Sequence, residues 1–159
     1  MPDKASEWNL PVSFYFLVTF QNRNGVKFQA SFSEVRGIGW DLNTTKASDA
    51  GMEVDIPVKL KGKDLVLVRP LAPLSDDLSK WLYNCVKMLV FPSGLRSMMK
   101  NKACDVVVKL LDSGGQPLAA WSFNHAYPSA YSLGDLKAGE SSLAIETITL
   151  DYTDIERLK

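Results

Sequence analysis

The chain has 159 residues, 46% hydrophobic and 23% charged, a balance that fits one globular domain with a core of its own. Its 18 basic and 18 acidic residues cancel, which speaks against the positive excess that nucleic-acid binding usually leaves. Two cysteines, Cys85 and Cys104, are too few for a disulfide framework and match no metal-site spacing.

The start of the chain, Met-Pro-Asp-Lys-Ala-Ser-Glu, is polar and has no apolar signal core. No run approaches the length needed to cross a bilayer. These features predict cytoplasmic synthesis without a signal peptide and no membrane partner. Residues 1–10 read as a flexible arm on a single domain spanning 1–159. Val12 to Phe20 is dense in β-branched and aromatic residues and predicts a strand. Val12, Phe14, Phe16, Val18 and Phe20 fall on one face, and Tyr15 and Leu17 make the other partly apolar.

Asn22-Arg-Asn-Gly25 predicts a hairpin turn, since Asn and Gly tolerate positive φ. The returning strand alternates cleanly. Val26, Phe28, Ala30 and Phe32 share one face, and Lys27, Gln29, Ser31 and Ser33 share the other. Gly37-Ile-Gly39-Trp40 predicts a bend. Residues 43–51 read as a polar loop without an apolar anchor, long for a hairpin connection and therefore a functional candidate. Trp40, just before it, is placed to anchor that loop against a partner subunit. Met52, Val54, Ile56, Val58 and Leu60 then alternate with mostly polar residues, and Pro57 marks an edge strand or a bulge. Lys61-Gly62-Lys63 turns the chain, Leu65 to Arg69 returns it, and Pro70 and Pro73 end the sheet.

A helix follows. Ser75 is the expected N-cap, with Asp76 and Asp77 in the first turn. Leu78, Trp81, Leu82, Cys85, Val86 and Leu89 form an apolar stripe at helical spacing. Pro92 and Gly94 stop it. Residues 93–102 read as a solvated loop carrying Leu95, Met98 and Met99 among Arg96, Lys100 and Lys102. Strands are expected at Asp105–Leu111 and Gln116–Phe123, joined by a turn at Ser113-Gly-Gly115. Ser129–Ser142 reads as mostly loop, and Leu143–Tyr152 as the last strand. The whole predicts a mainly β, antiparallel domain with one helix.

Nothing in the sequence is arranged for chemistry. His125 stands alone, with no nucleophile motif to serve. One histidine and two separated cysteines do not build a zinc site. Gly37-Ile-Gly39 lacks the third glycine of a dinucleotide fingerprint. No catalytic, cofactor-binding or metal-binding residue is assigned, and no cofactor is expected. Most aromatics alternate into core positions rather than onto a stacking platform. Assembly remains: an open sheet has edges that must be paired, covered or charged, and head-to-tail contacts generate rings and stacks. A monomeric β-barrel holding a small apolar ligand is the competing class.

Several segments, in order, resemble the tail tube family of contractile phages and phage-like injection systems. They are Pro11–Val18, Phe28–Ile38 with its Phe32, Val35, Gly37 and Ile38, and Leu65–Pro70 followed by Leu78 and Trp81. Asp105–Asp112, Pro117, Trp121-Ser-Phe123, Ala126-Tyr-Pro128 and Ala144-Ile-Glu146 complete the match over about residues 11–155. The resemblance implies an antiparallel two-sheet, β-barrel-like subunit that assembles into a homo-hexameric ring, the rings stacking into an inner tube. It implies sheath, baseplate or tube-initiator proteins as partners, and cargo protein or DNA passing through the lumen without specific binding. It would make Trp40, Asn43, Thr44, Thr45, Lys46, Ser48 and Asp49 a ring-stacking loop. It would make Lys27, Gln29, Ser31, Ser33, Glu53 and Asp55 lumen-facing. Three departures, Ala50-Gly51 where a Gly-Gly pair is common, Arg69-Pro70 where Arg-Gly is usual, and a long loop over 90–102, also fit a tube-initiating or specialised tube paralogue near the baseplate.

Overall fold

The computed structural model describes residues 14–90, 102–140 and 143–159. The expected N-terminal arm, the helix stop at Pro92 and Gly94, and the loop bearing Leu95, Met98 and Met99 lie outside the described residues. Strand β1 (Phe14–Gln21) turns through Asn22–Gly25 into β2 (Lys27–Phe32). The Asn22 side-chain oxygen accepts the backbone N–H groups of Asn24 and Val26, and Gly25 takes φ 78°. These polar contacts make the turn local and explain why the sequence marks it so clearly. Val26 falls in this turn and is exposed, so the apolar face of β2 begins at Phe28. On β1 the expected even face is buried at Val18 and Phe20, while Tyr15 on the other face is exposed.

A short β3 (Glu34–Arg36) leads into β4 (Trp40–Asp49) and β5 (Met52–Gly62), and β6 (Leu65–Pro70) re-enters the body. Helix α1 (Asp77–Val90) follows. Then come β7 (Cys104–Asp112), β8 (Pro117–Leu133), β9 (Ile145–Asp151) and β10 (Asp154–Arg157). All pairings are antiparallel, in the order β2-β1-β7-β8-β9-β6-β3, with β10 also on β8. The fold class is as the sequence predicts, but the barrel is not closed. The ends of the path, β2 and β3, are consecutive in the chain and are not paired with each other. Ser33 bridges the gap instead, its N–H and its hydroxyl both donating to the Val68 carbonyl.

Two sheets arise because β8 serves both. Its first half pairs with β7 and β10, its second half with β9. The strand bends at His125, which takes φ 55° and whose N–H donates to Asp105 Oδ1 at 3.0 Å. A bulge lies between Pro128 and Ala130, where the missing proline donor makes an extra residue cheap. The expected loop at 129–142 is therefore corrected: β8 continues to Leu133, because β9 supplies a ladder for Tyr131, Ser132 and Leu133. The core lies between the sheets and α1. It joins Val18, Phe20, Val106, Val108 and Phe123 to Leu65, Leu67, Ile148 and Leu150.

Helix α1 packs through Leu78, Trp81, Leu82 and Cys85, all buried. The Trp81 ring sits 5.6 Å from that of Phe20 and 6.4 Å from that of Phe28, and its Nε1 donates to the Lys102 carbonyl. Val86 does not belong to this face. It is 55% exposed, because the stripe is narrower than the periodicity implied and Val86 lies at its margin. Leu89 lies on the helix beyond the last residue whose side chain is described. The cap is also shifted by one: Asp76, not Ser75, accepts the Ser79 N–H at 3.2 Å, the position where an N-cap oxygen meets the first turn.

Candidate functional site

The expected polar loop is a strand. Residues Trp40, Asn43, Thr44, Thr45, Lys46, Ser48 and Asp49 all belong to β4, which pairs with β5 over its whole length. Asp49 pairs with Met52, and Ala50 (φ 50°) and Gly51 (φ 80°) form the two-residue connection. Two consecutive positive φ angles give the turn whose twist matches a hairpin. The polar sequence misleads because this strand buries nothing. Its hydrogen-bonding partner is β5, so it needs no apolar alternation of its own.

Among the described residues the hairpin pairs with no other strand, and its side chains are exposed almost throughout. Its two faces differ. Val54 lies opposite Ala47, and Ile56 opposite Thr45. With Met52 they form an apolar strip, 69%, 46% and 44% exposed at Met52, Val54 and Ile56. Glu53 opposite Ser48 and Asp55 opposite Lys46 make the other face polar, with Lys46 reaching Glu53 at 3.4 Å. Next to Pro57, the register shifts between Asn43 and Thr44, so the bulge expected of that proline is present. Nearer the base, Leu42 pairs with Leu60 and Trp40 with Gly62, and Trp40, Leu42 and Leu60 are also exposed.

The base of the hairpin is held firmly. Gly37 takes φ 82°, and a β-carbon there would collide with the Asp64 carbonyl. The Lys63 N–H donates to the Gly39 carbonyl at 3.0 Å, and the Tyr152 hydroxyl donates to the Lys63 carbonyl at 2.5 Å. On β2, Lys27, Gln29 and Ser31 point away from the core, as the alternation predicts. Ser33, next in that row, is exposed as well. It lies beyond β2, and its hydroxyl is committed to β6.

Sequence reasoning did not single out the buried ion cluster beneath α1. Arg69 on β6 pairs in register with Glu146 on β9, and its Nε donates to Glu146 Oε1 at 2.5 Å. The same guanidinium reaches Asp76 Oδ2 at 2.8 Å and Ser79 Oγ at 3.2 Å. The Tyr131 hydroxyl closes the cluster on Glu146 Oε2. Burial alone would raise the Asp76 pKa. The hydrogen bond and charge of Arg69, with the hydrogen bonds from Ser79, outweigh it and hold the carboxyl below its ordinary value. Burial, then the bond to Glu146, pushes Tyr131 up. A signal was available: Glu146, Ile148 and Leu150 share one parity, so a strand buried at Ile148 and Leu150 carries Glu146 inward. Every member of the cluster has a partner, which suits it to holding α1 on the sheet rather than to catalysis.

Beside this cluster lies a groove of about 700 Å³ between α1, the segment after Pro70 and the second half of β8. Leu71, Leu74, Tyr83 and Tyr131 give it an apolar, half-exposed wall.

The T4-like virus tail tube protein gp19 family model matches residues 12–156. A sequence comparison with curated proteins gives no match. Among solved structures, the chain superposes on a protein of the anti-feeding prophage baseplate with TM-score 0.73 and 25% identity, covering 94% of this chain and 96% of that one. A protein of the PVC sheath-tube complex, an extracellular contractile injection system in the extended state, gives TM-score 0.72 at 19% identity over 96% and 93%. Hcp1 of Flavobacterium johnsoniae gives TM-score 0.51 at 15% identity over 89% and 94%. With an unpaired, two-faced hairpin on an antiparallel two-sheet body, the chain belongs to the T4-like virus tail tube protein family and is a structural tube protein.

Proposed function

We propose that the chain forms homo-hexameric rings that stack into the inner tube of a contractile tail or injection particle. The observation that carries this reading is the β4–β5 hairpin. A two-stranded ribbon with nothing packed on it is marginal alone, and its strip of Met52, Val54 and Ile56 is exposed where a neighbouring copy would cover it. The outer edges of β2, β3, β4 and β5 have no strand partner among the described residues, and edge pairing with adjacent copies around a ring would satisfy them. Trp40, Asn43, Thr44, Thr45, Lys46, Ser48 and Asp49 would then contact the adjoining ring as strand residues rather than as a loop.

In the same arrangement Lys27, Gln29, Ser31 and Ser33, with Glu53 and Asp55, face the lumen. They mix both charge signs, and such a surface clings less to passing protein or DNA than a surface of one sign. Sheath, baseplate and initiator proteins are the expected partners, and the particle is the expected location. Neither a specific cargo site nor catalysis is part of this role.

Size-exclusion with light scattering, followed by negative-stain imaging of the same fractions, tests it. Rings of hexamer mass or stacked tubes are expected. Replacing Val54 and Ile56 together by Asp should abolish them while shifting folding stability by no more than about 0.5 kcal/mol per exposed site. Normal tubes from that variant would remove the hairpin from the assembly.

A further inference from the structure

We infer that the groove between α1 and the second half of β8 receives the apolar hairpin strip of a second copy of this chain. The inference rests on the tube reading and names the surface on which the hairpin lands. Each copy exposes two unmatched apolar features: a protruding strip and a recess. No hairpin residue lines the recess, and the exposure of the strip shows that the hairpin does not fold back onto its own body. At about 3.4 Å per residue, the β4–β5 ribbon projects about 30 Å. It leaves the sheet at the Leu65 end of β6, whereas the chain enters the groove wall past Pro70, at the other end of that strand. A protrusion and a recess at opposite ends of one strand suit a heterologous, head-to-tail contact, the kind that builds a stack. Such a contact repeats from copy to copy and leaves unmatched features only at the ends of the assembly.

The chemistry of the recess fits an apolar occupant. Leu71, Leu74 and Tyr83 supply its wall. Its floor carboxylate, Glu146, is 2% exposed and already holds Arg69 and Tyr131, so an apolar side chain above it strands no charge. At one end the groove presents Lys102. At the hairpin tip, on the same face as the strip, Asp49 pairs across the strands with Met52 and has no ion pair among the described residues. Lys102 therefore meets an acid tip when the strip enters the groove.

The test uses the full chain in assembled tubes. A photo-cross-linking phenylalanine analogue is placed at Val54 in an isotope-labelled copy, mixed with unlabelled chain before assembly, and the cross-linked peptides are mapped. Cross-links from labelled hairpins to unlabelled segments 71–86 or 127–131 are expected. Cross-links to any other surface of the second copy, or back to the labelled copy itself, overturn the inference. Ala130→Trp, at an exposed position in the groove, is expected to lower the cross-link yield at least tenfold while circular dichroism and melting stay unchanged. An unchanged yield counts against the groove. Tubes with cross-links elsewhere would sink this inference and leave the tube reading standing. A wild-type chain that never forms rings or tubes would overturn both.

Discussion

Tyr152 lies across Gly62: a β-carbon at position 62 would fall 2.5 Å from the tyrosine ring, and the Tyr152 hydroxyl donates to the neighbouring Lys63 carbonyl. The ring also meets Phe123 edge-on at 4.8 Å. The last residue of the hairpin is thus seated on an aromatic anchored in the core. Gly62→Ala should cost about 1–3 kcal/mol by overpacking, and Tyr152→Phe about 1 kcal/mol by loss of one hydrogen bond. In urea unfolding, the Gly62→Ala cost should largely vanish when Tyr152 is already Ala. Full additivity of the two changes would refute the contact.

Arg69 joins two sheet strands to the start of α1. Arg69→Met leaves Glu146 buried without its cation, and loss of one partner of a buried pair costs about 3–5 kcal/mol. Arg69→Met combined with Glu146→Leu should recover much of that loss, since the carboxylate left without its cation, Asp76, is partly exposed to water. A double variant no more stable than Arg69→Met alone would contradict this account.

Acid should loosen the helix start first. The Asp76 carboxyl is held below its ordinary value of 3.8. Its contribution is therefore present above that value and is lost as pH falls through the lower folded pKa. Asp76→Asn keeps a capping oxygen but should flatten the acid limb of the stability curve and cost about 1 kcal/mol near neutrality through the lost ion pair with Arg69. An unaltered acid limb would show that Asp76 is not the group being protonated.

The two thiols act at the other end of the pH scale. Burial pushes Cys85 up to about 11 and Cys104 up to about 12, from an ordinary 9.0. Above pH 9 the unfolded chain releases protons that the folded chain keeps, so stability should fall as pH rises from 9 toward these values. Native protein should also resist thiol reagents at pH 8, because the thiolate is the nucleophile. Rapid stoichiometric labelling of folded protein would show that these sites open.

The sequence made some elements plain and concealed others for physical reasons. β2 was legible because Phe28, Ala30 and Phe32 meet core while Lys27, Gln29 and Ser31 meet water. α1 was legible because Leu78, Trp81, Leu82 and Cys85 repeat at helical spacing. β4 was hidden because its side chains are exposed and, unlike those of its partner β5, show no hydrophobic alternation. The far half of β8 was hidden because Pro128 looks like a terminator until β9 is there to accommodate a bulge. β10 is four residues long and mostly charged, and only its pairing with β8 makes it a strand. Val86 was misplaced because periodicity marks the centre of an apolar stripe better than its margins. Family resemblance, carried by ordered fragments from Pro11 to Glu146, reached the function that no single motif could.

The sharing of β8 by both sheets has a consequence for how the molecule comes apart. Neither sheet can peel away while the other stays whole, because the same strand backbone is hydrogen-bonded into each. The helix adds two further ties, Asp76 to Arg69 on β6 and Trp81 to the Lys102 carbonyl just ahead of β7. The described body therefore has no seam along which half of it would melt first, and it should unfold as one cooperative unit. Among the described elements the β4–β5 ribbon stands outside that unit beyond its base at Gly62, and its tip can fray while the body stays whole.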